Sequence, residues 1–141
     1  MAVTVRRFEP ADTDAVAALW AEVFPDDPPR NEPRGMIARK LARDPELFWV
    51  AAYPSGEVVG ALMAGYDGVR GWLYHLAVAP AARRQGIARS LVDRAVADLH
   101  ALGCRKVNLQ VRERNLEVAA FYASLGWTED RSISLGRVLA D

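Results

Sequence analysis

The stretch VAPAARRQGIARSLVDRA, residues 78–95, carries two arginines and a glycine where a strand passes through a turn into a helix. A helix N-terminus has unpaired backbone N–H groups and a partial positive charge, and both attract anions. The absent side chain of Gly86 and the small one of Ala88 would let a phosphate approach those amides. Arg83 and Arg84 would add charged donors. The junction therefore predicts a phosphate site. The alternative is that the glycine only permits close packing and that the two arginines are solvated at the surface.

The remaining chain predicts the elements that position this junction. Residues rich in β-branched and aromatic side chains predict strands at 4–8, 47–53, 57–66, 72–80, 106–111 and 131–139. Apolar residues at helical spacing predict helices at 10–24, 87–102 and 115–126, and a further helix that ends before Pro45. The proline-rich segment 25–33 is expected to be a loop.

The connections between these elements predict the sheet. Short turns make the strands before Pro80 antiparallel, whereas the strand at Val107 follows a helical crossover and should lie parallel to the strand at Leu76. The predicted fold class is α/β (α+β), with a mixed, mostly antiparallel central sheet of about six or seven strands. Because the central strands lack clean polar alternation, helices are expected on both faces of the sheet.

Composition limits the classes of protein that the chain fits. Its 141 residues predict one domain, 1–141, and its formal net charge of zero favours neither nucleic acid nor an anionic membrane as a partner. A single cysteine, Cys104, excludes an internal disulfide, and with only two histidines no metal site is expected. No segment resembles a signal peptide or a membrane span, and a soluble cytoplasmic protein is expected.

Two motifs together resemble the GNAT superfamily of N-acetyltransferases. The pattern of arginine, two residues, glycine, one residue and alanine falls on Arg83, Gly86 and Ala88. A second motif begins with Asn115, continues to Tyr122 and ends in a glycine and an aromatic residue at 126–127. The order of predicted elements is also that of the superfamily, so the resemblance spans nearly the whole chain. Within it the chain resembles a branch of small bacterial acetyltransferases of YpeA type.

The resemblance implies a GNAT acyl-CoA N-acyltransferase fold and acetyl-coenzyme A as co-substrate. Catalytic roles are implied for Tyr122, as general acid to the departing thiolate, and for the N–H of Val78, as donor to the oxyanion. The implied cofactor-binding residues are Leu76, Ala77, Val78, Arg83, Arg84, Gln85, Gly86, Ile87, Ala88, Asn115 and Tyr122. For Asn115, a helix N-cap is expected beside any contact with the cofactor. For Tyr122, a ring packed between helix and sheet is the alternative.

The general base is not determined by the sequence. Relatives that acetylate protein N-termini have a glutamate where this chain has Gln110 in the run LQVR, and an amide cannot accept the proton. Glu113 and His75 are the other candidates, but Glu113 can point to solvent. His75 is expected to face away from Leu76 and to be a packed, satisfied residue. Deprotonation through ordered water is the interpretation preferred here.

The resemblance also implies an acceptor site between the first two helices and the last strands. There the aromatic residues Trp20, Phe24 and Trp49 could form an apolar floor or belong to the core, and Asp26 and Asp27 are expected to be solvated. The predicted function is transfer of acetyl to a primary amine of a small molecule, peptide or protein. A non-catalytic coenzyme A-binding sensor or interaction module is the alternative. Either a monomer or a homodimer fits the sequence.

Overall fold

The computed structural model describes residues 2–141 and contains one mixed sheet covered by helices. Its helices and strands are β1 (Thr4–Arg7), α1 (Thr13–Val23), α2 (Pro33–Arg43), β2 (Phe48–Ala52), β3 (Val58–Tyr66), β4 (Gly71–Val78), α3 (Ile87–Ala101), β5 (Val107–Asn108) and α4 (Leu116–Ser124). The strands lie in the order β1-β2-β3-β4-β5. Neighbours from β1 to β4 are antiparallel, and β4 and β5 are parallel. This confirms the predicted mixed sheet and its helical crossover.

Each face of the sheet has its own apolar core. On one face α1 and α2 pack over Phe48, Val50 and Ala61. On the other face α3 and α4 cover alternate residues of the same strands, among them Trp49 and Leu62. Side chains of successive strand residues point to opposite faces, so a strand covered on both sides contains few polar residues. Helices on both faces are therefore confirmed.

The predicted number of strands was wrong. The strand predicted at 106–111 pairs only at Val107 and Asn108, and residues 131–139 form no strand within the described chain. Ile133 and Leu135 are 88% and 90% exposed, because no apolar layer lies over this segment. It is held instead through side chains, such as the hydrogen bond that Gln110 donates to Ser134. Alternating apolar residues make a strand only where a free edge and a covering layer are available.

A β-bulge interrupts β4 at His75. Opposite it, Ala61 pairs with Ala77 and Met63 pairs with Tyr74, so Leu62 alone faces two residues of β4. His75 has a φ of +54°, in the left-handed region that a residue with a Cβ rarely adopts. A bulge bends its strand and re-aims the side chains on either side of it.

Close packing at Gly60 positions the N-terminal end of α3. A Cβ at Gly60 would lie 3.0 Å from Leu91 Cδ1 and 3.1 Å from Ile87 Cγ2, both on α3. Gly60 pairs with Val78 at the end of β4. The absence of a side chain on β3 therefore brings the beginning of α3 close to the last residue of β4.

A buried carboxylate joins β1 to α1. Asp12, which is 8% exposed, accepts hydrogen bonds from Arg6 Nη1 at 2.7 Å and Arg6 Nη2 at 2.9 Å. It also accepts one from the Glu9 N–H at 2.8 Å. These partners, chiefly Arg6, lower the pKa of Asp12 below its ordinary value of 3.8. Their contribution to stability is therefore present above that value and is lost as the pH falls through the pKa of the folded state.

No helix among residues 2–141 combines the length and the apolar character that a bilayer crossing demands.

We expect Asp12→Asn to lower the free energy of unfolding at pH 7 by about 1–3 kcal/mol, because Arg6 loses a buried charged partner. The difference from wild type should shrink below pH 4 as Asp12 protonates. Denaturant unfolding from pH 2.5 to 8 measures both effects. Asp14→Asn is the matched control, because Asp14 is 88% exposed in its ion pair with Arg34 and should change stability little. A pH-independent loss in Asp12→Asn would contradict the assigned charge interaction.

Candidate active site

The site begins at a free edge of β4 inside the sheet. β4 and β5 pair only at Gly71 with Val107 and at Trp72 with Asn108. Beyond Trp72 no strand of the described chain pairs with this edge of β4. The polar groups of an unpaired strand edge can hydrogen-bond an extended ligand as they would a neighbouring strand.

The N–H of Val78 points toward this free edge. The next residue, Ala79, donates its N–H to Val59 O on β3 at 2.8 Å. Successive N–H groups of a strand point to opposite sides, so that of Val78 points away from β3. On the same side Arg83 Nε donates to Val78 O at 3.4 Å. The strand divergence thus leaves one amide donor at the end of β4 without a strand partner.

The turn after β4 exposes the N-terminus of α3. Gly86 is the N-cap of α3 with a φ of +76°, and Arg84 also has a positive φ of +64°. No atom lies within 4 Å of the position that a Cβ of Gly86 would occupy. Gly86 is therefore not required for close packing within the chain, and its N-cap position supplies no side-chain acceptor for the first amides of α3.

These segments enclose a cleft of about 200 Å³ between the end of β4, the turn and α4. It is lined by Val78, Ala82, Arg83, Arg84, Gly86, Ile87, Ala88, Arg89 and Phe121. Six of the eleven residues predicted to bind a cofactor are among them, and three of the nine are arginines, although the surface that faces the cleft is mainly apolar. The surroundings suit an anionic, partly apolar ligand.

Other predicted residues lie outside the cleft lining. The side chain of Gln85 is turned toward the β2–β3 hairpin, where its Oε1 accepts a hydrogen bond from Tyr53 at 3.3 Å. Ala77 is buried in the core beneath α1 and α2, so it can contribute only its backbone to the opposite face. Leu76 is half-buried against the core beneath α3.

Tyr122 is buried on the same face as the cleft. It is 7% exposed and belongs to the cluster that contains Val78 and Ile87. Its ring packs edge-on against Phe121 and Trp127, with centroids 5.0 and 5.5 Å apart. Burial raises the pKa of Tyr122 to about 12, because desolvation disfavours the phenolate. Tyr122 therefore keeps its proton throughout the neutral range.

Asn115 is the N-cap of α4, as the sequence predicted. Its Oδ1 accepts a hydrogen bond from the Val118 N–H at 3.1 Å. The residue is exposed and does not line the cleft. With Oδ1 engaged in the cap, its amide Nδ2 is the group that remains for a ligand.

The sequence did not predict a polar cluster on the opposite face of β4. Asp27 Oδ2 lies 2.8 Å from His75 Nε2, and Arg112 Nη2 lies 3.3 Å from Asp27 Oδ1. Asp27 was expected to be solvated, but its side chain is only 15% exposed. Trp20 and Phe24 are one helical turn apart, but Asp27 lies in the loop after α1, so helical spacing could not have placed it beside them. Asp26 is exposed, as expected.

The other candidate bases are unsuited to the role in this structure. The amide of Gln110 donates to Ser134, and Glu113 is exposed in the loop after β5. Within residues 2–141 no group of three or more acidic, histidine or cysteine side chains is arranged to hold a metal ion.

Comparison with known proteins agrees with the predicted fold and family resemblance. Residues 13–127 match the model of the acetyltransferase (GNAT) family. The chain is 43% identical over 137 residues to a protein named acetyltransferase from Pectobacterium atrosepticum, an alignment that covers 97% of this chain and 96% of the relative.

Solved structures also agree with the predicted fold. The crystal structure of Ard1 from Thermoplasma volcanium superposes with a TM-score of 0.81 at 26% identity, covering 91% of this chain and 84% of that one. An aminoglycoside N-acetyltransferase in complex with CoA also gives 0.81, at 17% identity, covering 99% and 96% of the two chains. At that identity the likeness concerns the fold alone.

We expect Asn115→Ala to lower the free energy of unfolding by about 1 kcal/mol, because the first turn of α4 loses its side-chain acceptor. Asn115→Asp should retain most of the stability, since a carboxylate caps the same N–H and favours the helix dipole. Urea unfolding of both variants measures the difference. Equal destabilisation by the two substitutions would contradict the capping assignment.

Proposed function

Because the chain belongs to the acetyltransferase (GNAT) family, we propose that it transfers an acetyl group from acetyl-coenzyme A directly to a primary amine. The acceptor is an amine of a small molecule, a peptide or a protein. The observation that carries the proposal is the cleft, bordered by three arginines, where the free edge of β4 meets the N-terminus of α3.

Coenzyme A supplies a pyrophosphate, an extended arm with two amides, and the thioester that carries the acetyl group. In the proposal the amides between Arg84 and Ala88 bind the pyrophosphate. The open space beside Gly86 supports this assignment, because a phosphate oxygen can approach the backbone there. Arg83 and Arg84 add charge-assisted hydrogen bonds, and Asn115 Nδ2 contacts the arm.

The amide-bearing arm pairs with the edge of β4 at Leu76 and Val78 as a short additional strand would. The Val78 N–H donates to the carbonyl oxygen of the thioester, where negative charge develops when the amine attacks. The direction of this N–H, away from β3, supports that role. A donor fixed in a strand needs no reorganisation when the charge forms.

Tyr122 is the proposed general acid for the departing thiolate. Its elevated pKa keeps the phenol protonated, so it can donate at neutral pH. A thiolate released into the same desolvated surroundings is also made more basic, which favours the transfer. No covalent enzyme intermediate is needed, and Cys104, which is buried beside Gly71, has no role in the transfer.

Replacing Gly86 with valine should abolish measurable binding of acetyl-coenzyme A, because the side chain fills the approach to the α3 amides. Gly56→Val is the matched control, because Gly56 also has a positive φ with no atom within 4 Å of its Cβ position. Both variants should lose about 1–2 kcal/mol of stability through backbone strain. Calorimetric titration should detect binding to the control alone. Equal affinity of both variants for acetyl-coenzyme A would contradict the proposed binding of the pyrophosphate at the α3 amides.

Tyr122→Phe should lower kcat about 100-fold or more while leaving the affinity for acetyl-coenzyme A within a few-fold of wild type, because only the proton donor is lost. Thiol release against a panel of amines and short peptides measures this effect. Tyr66→Phe removes a hydroxyl at the β3–β4 hairpin, where it donates to Gly68 O, and should leave turnover unchanged. Binding without turnover across the panel would favour a coenzyme A-binding module over an enzyme.

A further inference from the structure

We propose that His75 accepts the proton of the acceptor ammonium and that Asp27 and Arg112 hold its imidazole in position. The inference rests on the proposed function, since it assigns the base for that reaction. It begins from the cluster on the α1 face of β4, where three separate segments of the chain meet. These are the α1–α2 loop, the bulge of β4 and the loop after β5.

The imidazole of His75 is fixed on several sides. Its ring lies edge-on to Trp20 and Phe24, with centroids 5.4 and 4.9 Å apart. Its backbone carbonyl accepts a hydrogen bond from Trp20 Nε1 at 3.0 Å. Its Nε2 lies 2.8 Å from Asp27 Oδ2. These contacts hold His75 in its left-handed backbone conformation, which is unfavourable for a residue with a Cβ.

The contact with Asp27 determines which ring nitrogen can act as a base. A carboxylate only accepts hydrogen bonds, so Nε2 of the neutral ring carries the hydrogen, and Nδ1 keeps its lone pair. Arg112 Nη2 lies 3.3 Å from the other oxygen of Asp27, Oδ1, and this contact helps to fix the orientation of the carboxylate. Asp27 and Arg112 therefore act as positioning residues, and His75 Nδ1 is the proton acceptor.

The position of His75 relative to the reacting carbon follows from the sheet. Beyond Trp72 the divergence of β4 from β5 leaves a gap in the sheet. The cleft of the proposed donor lies on the α3 face of this gap, and His75 lies on the α1 face. His75 and Val78 lie three residues apart on β4, and Val78 also lines the cleft, so in the proposal the acceptor amine enters the gap between the two residues.

The proton balance is consistent with these roles. His75 takes one proton from the ammonium, and the neutral nitrogen attacks the thioester carbon. The C–S bond then breaks, and the departing thiolate takes the proton of Tyr122. The nitrogen loses its second proton, which restores the phenol, and the imidazolium releases its proton to water. The products are the amide, the free thiol and one proton.

His75→Asn tests the proposal with little disturbance of the backbone, because asparagine tolerates a left-handed conformation. At pH 7 we expect kcat/KM with an active amine to fall about 100-fold, while the affinity for acetyl-coenzyme A stays within a few-fold. His100→Asn is the matched control, because His100 is the other histidine of the chain and is exposed at the end of α3. It should leave kcat/KM unchanged.

The pH dependence of kcat/KM distinguishes a general base from a residue that has only a structural role. The charged group in contact with the imidazole is Asp27, which Arg112 contacts in turn, and α1 contributes only the uncharged Trp20 and Phe24. In His75→Asn, kcat/KM should rise about tenfold per pH unit as the neutral amine accumulates. The kcat/KM of wild type should rise less steeply with pH. Free imidazole should restore part of the activity of His75→Gly. Parallel profiles in wild type and His75→Asn, with no rescue, would overturn the assignment and leave the proposed function intact.

A measurement without turnover tests the hydrogen-bond arrangement. ¹⁵N NMR of the histidine rings should show a protonated Nε2 and a bare Nδ1 for neutral His75. Asp27→Asn should shift the Nε2 signal and lower kcat/KM about tenfold. A ring with the hydrogen on Nδ1 would contradict the proposal even if no acceptor amine were turned over. Absence of thiol release from wild type with every amine would instead count against the proposed function.

Discussion

The separation of β4 from β5 is the constraint on which the site depends. The two strands pair at two positions and then diverge, so an interior strand keeps an edge without a strand partner. Buried backbone groups without partners are costly, and a protein tolerates such an edge where solvent or a ligand satisfies it. Gly60 brings α3 close to the end of the same strand, which places a helix N-terminus beside the free amides. Strand edge and helix end together form one cleft for an extended, anionic ligand.

The bulge at His75 gives the two faces of β4 different chemistry. On the α3 face the cleft is lined by apolar side chains and arginines, with Tyr122 buried in the adjoining core. On the α1 face the extra residue brings an imidazole against Trp20, Phe24 and Asp27. Arginines therefore border the cleft on one face of β4, and a histidine–carboxylate pair lies on the other. The gap between β4 and β5 is where the two sides meet.

Predictions from the sequence were correct where a local pattern is compatible with only one secondary structure. The helix from Ile87 to Ala101 follows from apolar residues every three or four positions, and Gly103 ends it in a left-handed turn. The cap by Asn115 is equally local. The prediction for residues 131–139 failed because a strand needs a partner edge and an apolar cover, and neither is a property of the segment itself. The helix predicted at 87–102 ends at Ala101, and Leu102, which follows it, is 54% exposed.

The sequence by itself determined the order of elements as far as α4, the crossover that makes β4 and β5 parallel, and the family to which the paired motifs belong. These follow from short-range periodicity, turn chemistry and the spacing of a few residues. Only the tertiary structure decided where β4 leaves β5, where the bulge falls, and that Asp27 meets a histidine 48 positions away. Such contacts depend on how helices pack across a sheet, and the energy of that packing is shared among residues that are distant in the chain.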